Sequence, residues 1–402
     1  MIEKFKDSLK YIKIKDILDI FIFIIMYPIS IVYKTFLKIN KKQIWLICEL
    51  KDTANDNGYY FFKYMREKHP EVNCYYAIDK KCKAYERLES FGNIIQFGGF
   101  KHWLYYLSAT VNLSNNKSGN PNAVVFYVLN VFLGFNTHRV FLQHGITINK
   151  GEWLYYKNTK FNLFICGAKK EYEYIKKNFG YPEKNIALTG FARYDTLINN
   201  EVEERSILIM PTWRSWIGRE TNEFADNITF EETEYYKTYN SLINNKQLNE
   251  YVLKNDIKVY FLPHIHMQKF INSFNKCRNI EILTNKNADI QTLLNKSSML
   301  ITDYSSVSMD FAYLKKPLIY YQFDEEEYRK KQLQEGYFSY KEDGFGDVIK
   351  REDQLVEKII EIAENKFEME LKYKNKVEKF FGTNDKKNSE RIYKEIKERM
   401  LK

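Results

Sequence analysis

Met299-Leu-Ile-Thr-Asp-Tyr-Ser-Ser-Val-Ser-Met-Asp-Phe-Ala-Tyr-Leu-Lys-Lys-Pro-Leu-Ile-Tyr-Tyr-Gln-Phe-Asp324 reads as a strand, a hydroxyl-rich turn, a short helix and a second strand. The apolar run Met299 to Thr302 ends at Asp303, Ser305 and Ser306 stand where a helix N-cap belongs, and Pro317 introduces the buried run Leu318 to Tyr321. Backbone N–H groups at a helix start, the positive end of the helix dipole and two serine hydroxyls together suit an anion such as a pyrophosphate. The same residues also fit an ordinary capped turn that binds nothing, since serine is a preferred cap everywhere.

Outward from this block the chain keeps one rhythm. Short apolar runs at Ile44 to Leu50, Asn73 to Ile78, Ile94 to Phe97, Thr110 to Leu113, Arg139 to Gln143 and Leu163 to Cys166 alternate with helical stretches such as Tyr59 to Lys68. After the acidic, turn-rich segment Asn199 to Arg205 the rhythm restarts at Ser206 to Met210, Ile257 to Leu262 and Ile280 to Leu283, and ends in the opening block. Buried strands separated by helices indicate parallel sheets covered on both faces. The expected class is α/β, with two doubly wound domains facing a cleft: residues 42–198 and 199–402, preceded by a basic, apolar segment over 1–41. A chain of 402 residues is long enough for two substantial cores.

Composition narrows the function class. With 45% apolar, 16% aromatic and 28% charged residues the chain is globular rather than disordered. The formal charge of +10 invites an anionic partner, but the lysines are spread through a sequence rich in Lys, Asn, Ile and Tyr and form no basic stripe. Aromatic residues occur in nearly every segment without an RNA-binding signature, so nucleic acid is not expected as a partner. Cys48, Cys74, Cys82, Cys166 and Cys277 are odd in number and widely separated, which fits a reducing compartment and neither a disulfide framework nor a zinc cluster.

Residues 1–42 hold nine lysines against four acids around Ile20-Phe-Ile-Phe-Ile-Ile-Met-Tyr-Pro-Ile-Ser-Ile-Val-Tyr33. Fourteen apolar residues interrupted by Pro28 are short of the ~20 that span a bilayer, and no small-residue cleavage site follows, so an interfacial membrane anchor is expected. Packing on the protein's own core, self-association and a true span are the alternatives.

Residues directly after each strand are the ones to inspect in such folds. His144-Gly145 after one strand offers an imidazole that could act as a base on a hydroxyl, or a structural turn histidine. Pro211-Thr212-Trp213-Arg214 offers a guanidinium for phosphate oxygens, or a surface arginine paired with Glu220 or Glu223. Pro263-His264-Ile265-His266 would point both rings the same way if extended; with no nearby acid, phosphate contact is a better reading than metal. The standard nucleotide-hydrolase, dinucleotide and esterase loops are missing.

Taken in order, His144-Gly145, Pro211-Thr-Trp-Arg214, Pro263-His264, Thr302-Asp-Tyr-Ser-Ser-Val-Ser-Met-Asp310, Lys316-Pro317, Phe323-Asp-Glu-Glu-Glu-Tyr328 and Gly336-Tyr-Phe338 resemble the CDP-glycerol glycerophosphotransferase family, the teichoic acid and capsule polyol-phosphate transferases. The resemblance implies two Rossmann-like domains of the GT-B type, peripheral association with the cytoplasmic face of the membrane, and no cofactor or metal. It implies transfer of a polyol phosphate from CDP-glycerol or a related CDP-polyol to a lipid-linked or polymeric acceptor at an anionic membrane surface. By motif position His144 would be the base, while His264, Arg214, Tyr304, Ser305 and Ser306 would hold the pyrophosphate. Gly145, Thr212, His266, Asp303 and Asp310 would be further donor or acceptor positions. Two departures bear on which polyol and acceptor are read: Ile146-Thr147-Ile148-Asn149-Lys150 replaces the family's Thr-Pro-Leu-Lys, and Ile265 replaces a proline. A nucleotide-sugar glycosyltransferase and a non-catalytic assembly protein are the rival readings.

Overall fold

The computed structural model describes residues 13–117, 119–197, 205–218, 229–275, 277–286 and 288–401, so the domain boundary expected at 198/199 lies outside the described residues. The chain divides into two compact units. One contains the chain up to His144, Glu152–Asp195 and Asp385–Lys402; the other contains Gly145–Gly151 and Thr196–Asn384.

The first unit begins with helix α1 (Ile14–Ile39). Its strands are β1 (Trp45–Ile47), β2 (Cys74–Ile78), β3 (Ile94–Gln96), β4 (Val111–Ser114), β5 (Arg139–Phe141), β6 (Leu163–Cys166) and β7 (Ile186–Leu188). All neighbours run parallel in the order β3-β2-β1-β4-β5-β6-β7. The longer connecting helices are α2 (Asn57–Lys68), α3 (Phe100–Ser108), α4 (Ala123–Leu133) and α5 (Lys169–Asn178). Local chemistry starts them: Asp56 caps α2 by accepting from the Asn57 amide at 2.7 Å, and Asn122 caps α4 by accepting from Val124 and Val125.

The second unit carries β8 (Ser206–Ile209), β9 (Lys258–Phe261), β10 (Ile280–Ile282), β11 (Met299–Thr302), β12 (Leu318–Tyr321) and β13 (Asp347–Ile349). These strands are parallel in the order β10-β9-β8-β11-β12-β13. Its helices of seven or more residues are α6 (Glu234–Ile243), α7 (Lys246–Lys254), α8 (Ile290–Lys296), α9 (Val307–Tyr313), α10 (Glu325–Lys331), α11 (Glu352–Glu364) and α12 (Leu371–Phe381). Strand β11 is buried along its whole length, as an apolar run between two parallel neighbours must be. The paired serines lead from it into α9, and Lys316-Pro317 leads into β12.

Two segments differ from the sequence expectation. Helix α1 is a continuous 26-residue helix through Pro28, ~39 Å long at 1.5 Å per residue, not a kinked stretch of fourteen. Its inner stripe, Phe23, Met26 and Leu37, packs with Trp103 of α3 and Val125 of α4. At its start Asp16 and Asp19 both accept from the Asn122 side chain, at 2.8 and 2.7 Å. The opposite face is apolar and exposed: Ile14, Val32 and Ile39 are 81%, 71% and 75% accessible.

The last helix, α13 (Asn388–Met400), leaves the unit that the sequence assigns to it and joins the first. Asp195 explains this, because its carboxylate accepts from the Asn388 and Ser389 amides at 2.8 Å each and so caps the helix start. Gly190 makes room: at φ +78° its missing side chain would lie 1.9 Å from Asn388 Oδ1. Tyr393 then stacks on His69 at 3.8 Å. Asp195→Ala should therefore lower stability by about 1–2 kcal/mol, read as a lower urea midpoint with unchanged slope.

Candidate active site

In the second sheet the strand order reverses between β8 and β11, and the connections after these strands leave to opposite sides. The two ends are stapled there. Thr302 Oγ1 donates to the Met210 carbonyl at 2.7 Å. One residue on, Asp303 Oδ1 accepts from the Thr212 and Tyr304 amides at 2.9 and 2.6 Å, while Oδ2 accepts from Arg214 Nη1 and the Tyr239 hydroxyl at 2.9 and 3.3 Å. Arg214 also donates Nε and Nη2 to the two oxygens of Asp324, at 2.6 and 3.0 Å, and Nη1 to the Thr212 carbonyl at 2.8 Å. Gln322, at the end of β12, donates to the Asp303 carbonyl at 2.9 Å.

Arg214 and Asp303 have no exposed side-chain surface. Burial opposes the guanidinium's charge, but Asp303 and Asp324 outweigh it and hold its pKa above the ordinary arginine value. The sequence reading that sets Arg214 and Tyr304 on a donor's phosphates is corrected by this enclosure. The donors of Arg214 are engaged by carboxylates and a carbonyl, and Tyr304 is buried against Tyr328 at 3.8 Å with its hydroxyl on Asp324. Asp303 is likewise internal, and Asp310 is buried on α9. Glu220 and Glu223, the alternative partners of Arg214, lie outside the described residues. Asp324 stands in the motif that carries the family resemblance but received no role from the sequence, although it follows β12 closely and the same post-strand rule selects it.

Outside this hub, Trp213, His264, Ser305 and Ser306 are half-buried and His266 is exposed at the ends of β8, β9 and β11. The histidine segment is not extended: Ile265–Ser273 is a 3₁₀ helix with His264 at its N-cap. The rings still meet, with centroids 5.1 Å apart, and Trp213 lies 6.0 Å from His264 and 4.9 Å from His266. His264 Nδ1 accepts from the His266 amide at 3.3 Å, so the neutral ring carries its proton on Nε2. Burial, with His266 alongside, lowers the His264 pKa to about 4.

Ser306 occupies the N-cap position of α9 but makes no capping bond; Ser305 Oγ accepts the Val307 amide at 3.3 Å instead. Gly145 belongs to this unit and abuts Ser306, whose hydroxyl would lie 2.7 Å from any Cβ at position 145. The same segment is fixed by an antiparallel bridge from Asn149 to Glu335 and by Arg329, which donates to Asn149 Oδ1 at 3.1 Å. Thr212 Oγ1 is buried without a hydrogen-bond partner.

In the first unit His144 follows β5 and is exposed. Gln143 turns the chain there at φ 57°, with its amide donating to the Ile165 carbonyl at 2.6 Å and to Glu171 at 3.1 Å. Asn57 Nδ2 donates to the Gln143 carbonyl at 2.8 Å. The backbone on which His144 sits is thus rigid while its ring is free of the core. Asp56 pairs with Arg193 at 2.8 Å and accepts from Asn115 at 2.7 Å, a polar network at the strand ends that the sequence reading did not single out.

A family model described as CDP-Glycerol:Poly(glycerophosphate) glycerophosphotransferase matches residues 29–398. The chain belongs to this family. Among relatives of known name, the minor teichoic acid biosynthesis protein GgaB of Bacillus subtilis (strain 168) is 38% identical over 378 residues, 91% of this chain and 41% of GgaB. The teichoic acid poly(glycerol phosphate) polymerase of the same organism is 23% identical over 354 residues, 82% of this chain and 45% of that protein. The chain thus spans less than half the length of these two relatives. The solved wall teichoic acid polymerase TagF superposes with a TM-score of 0.67 at 17% identity, covering 100% of this chain and 98% of that one. A UDP-GlcNAc 2-epimerase from Neisseria meningitidis reaches 0.51 at 9% identity over 89% of this chain and all of its own. These likenesses assign the GT-B-type fold.

Arg214→Met removes the cation that bridges two buried carboxylates and should cost about 3–5 kcal/mol, measured by urea unfolding. A loss under about 1 kcal/mol would mean that Asp303 and Asp324 do not depend on it.

Proposed function

We propose that this chain transfers a polyol phosphate, glycerol phosphate foremost, from a CDP-activated donor to a hydroxyl of a membrane-linked acceptor in teichoic-acid-type polymer synthesis. The observation that carries the reading is the family match across residues 29–398 together with the serine-bearing turn at the strand-order reversal of the second sheet. The acceptor hydroxyl loses its proton to His144, its oxygen bonds to the phosphorus bearing the polyol, and the bond to CMP breaks with its electrons going to CMP. Phosphoryl transfer depends on positioning and on offsetting developing negative charge. Ser305 and Ser306 hold the phosphates, and His264 donates from Nε2. Arg214 acts through Asp303, by fixing the turn from which these serines project.

Helix α1 lays its exposed apolar face on the cytoplasmic leaflet. Its other face carries Asp16 and Asp19, tied to Asn122, which favours lying on the membrane over crossing it. Lys15, Lys34, Lys38, Lys41 and Lys42 flank the apolar face for anionic head groups.

Incubation with CDP-glycerol, CDP-ribitol and nucleotide sugars should release CMP only with a CDP-polyol; nucleoside diphosphate from a nucleotide sugar overturns the reaction type. His144→Ala should lower turnover by about 10²–10⁴-fold with CDP affinity unchanged, whereas Ser306→Ala should weaken donor binding. Near-normal turnover of the histidine variant removes it as the base.

A pyrophosphate beside His264 favours the charged ring, so donor binding should take up a proton at about pH 6, visible as buffer-dependent binding heats and lost in His264→Gln. Without donor the sign is opposite. The folded pKa of about 4 lies below the ordinary 6.5, so this residue's contribution to stability is full above pH 6.5 and is lost as pH falls toward 4.

A further inference from the structure

The first unit holds a cavity of about 750 Å³ that no step above uses. Its apolar wall is Phe126 and Phe135, which are also the rings that Phe23 of α1 packs against, at 6.3 and 5.5 Å, with Tyr27 of α1 5.7 Å from Phe135. The cavity therefore adjoins the helix whose outer face is apolar and bare.

Its chemistry is one-sided. Lys117, Arg139, Lys157 and Lys160 line it, and no carboxylate among the described residues does. Arg139 donates Nη1 to the Lys117 carbonyl at 3.5 Å and Nη2 to the Thr159 carbonyl, while its buried Nε has no hydrogen-bond partner. The guanidinium is half-buried and lies 4.9 Å over the Phe161 ring, with no carboxylate against it among the described residues, so an anion at Nε would complete its donors. Lys117 is exposed as a residue, yet partial enclosure of its charge and the neighbouring Arg139 both lower its pKa, as expected for cations gathered without a counter-charge. Deeper in, Thr137 Oγ1 and Asn120 Oδ1 sit beside the Tyr106 hydroxyl, buried and without a hydrogen bond of good geometry. Arg139 Nε and these groups can serve a phosphate and the hydroxyls next to it. At the rim Tyr127 and Trp153 are half exposed, as aromatic side chains at a membrane–water boundary are.

We infer that this cavity binds the phosphate-bearing head group of an anionic membrane lipid whose acyl chains continue into the layer covered by α1. The proposal rests on the reading of α1 as an interfacial helix, and it adds a site with selectivity for the head group. Arg139 and the lysines bind the phosphate, Thr137 and Tyr106 its hydroxyl-bearing substituent, and the rim aromatics the glycerol–acyl boundary.

The test uses the full chain with phosphatidylcholine vesicles, with and without phosphatidylglycerol, read by co-sedimentation. Lys117→Gln/Lys157→Gln, at exposed positions that leave the fold intact, should reduce binding to the anionic vesicles by about ten- to thirtyfold and leave binding to neutral vesicles unchanged. Lys372→Gln/Lys379→Gln in the second unit removes the same charge and should change little; an equal loss overturns the site in favour of diffuse attraction. Soluble short-chain phosphatidylglycerol should shift the fluorescence lost in Trp153→Phe, saturably and at far lower concentration than inorganic phosphate. Equal potency of inorganic phosphate overturns the lipid assignment. Saturable short-chain binding without any vesicle binding would sink the α1 reading and keep the site, whereas vesicle binding without head-group preference would do the reverse.

Discussion

One guanidinium holds the ends of three adjacent strands together. Arg214 follows β8, Asp303 follows β11 and Asp324 follows β12, and the arginine bonds both acids at 2.6 to 3.0 Å with no solvent exposure of its own side chain. Asp303 also accepts from the Thr212 and Tyr304 amides, so the two loops that diverge at the reversal of strand order share one anchor. An isolated charge in this interior would be prohibitive, and the arrangement exists only because each oxygen and each donor has a partner. Serines, tryptophan and histidines can then project from a fixed frame.

That frame explains the contrast between the residues at its surface. His264 is half-buried and kept neutral, with Nδ1 committed to the His266 amide, whereas His144 is exposed on a turn locked by Gln143 and Asn57. A neutral donor and an accessible imidazole are different chemical tools, and burial rather than residue type separates them.

The interior strands were plain in the sequence. Met299–Thr302, Leu318–Tyr321 and Leu163–Cys166 coincide with their apolar runs because a strand flanked on both sides must be apolar throughout. Edge strands β7 and β13 gave no such signal: each has three residues, and β13 is only half-buried. Post-strand positions and motif resemblance drew attention to the residues gathered at these strand ends, but not to the state of Arg214. Its partner Asp324 is 110 residues away, and no local pattern reports that pairing. The length of α1 was hidden for another reason, since Pro28 argues locally for a break that packing against α3 and α4 overrides.

The return of α13 to the first unit has a consequence for biosynthesis. Asp195 waits for amides at positions 388 and 389, so a nascent chain that has already emerged from the ribosome through its first half still lacks a helix of that half. Of the two units, the one begun earlier is completed later, after the second has been synthesised in full. A premature stop between residues 385 and 392 would leave the later-made unit whole and bare, on its elder, the surface at Trp45 and His69 on which Tyr393 rests.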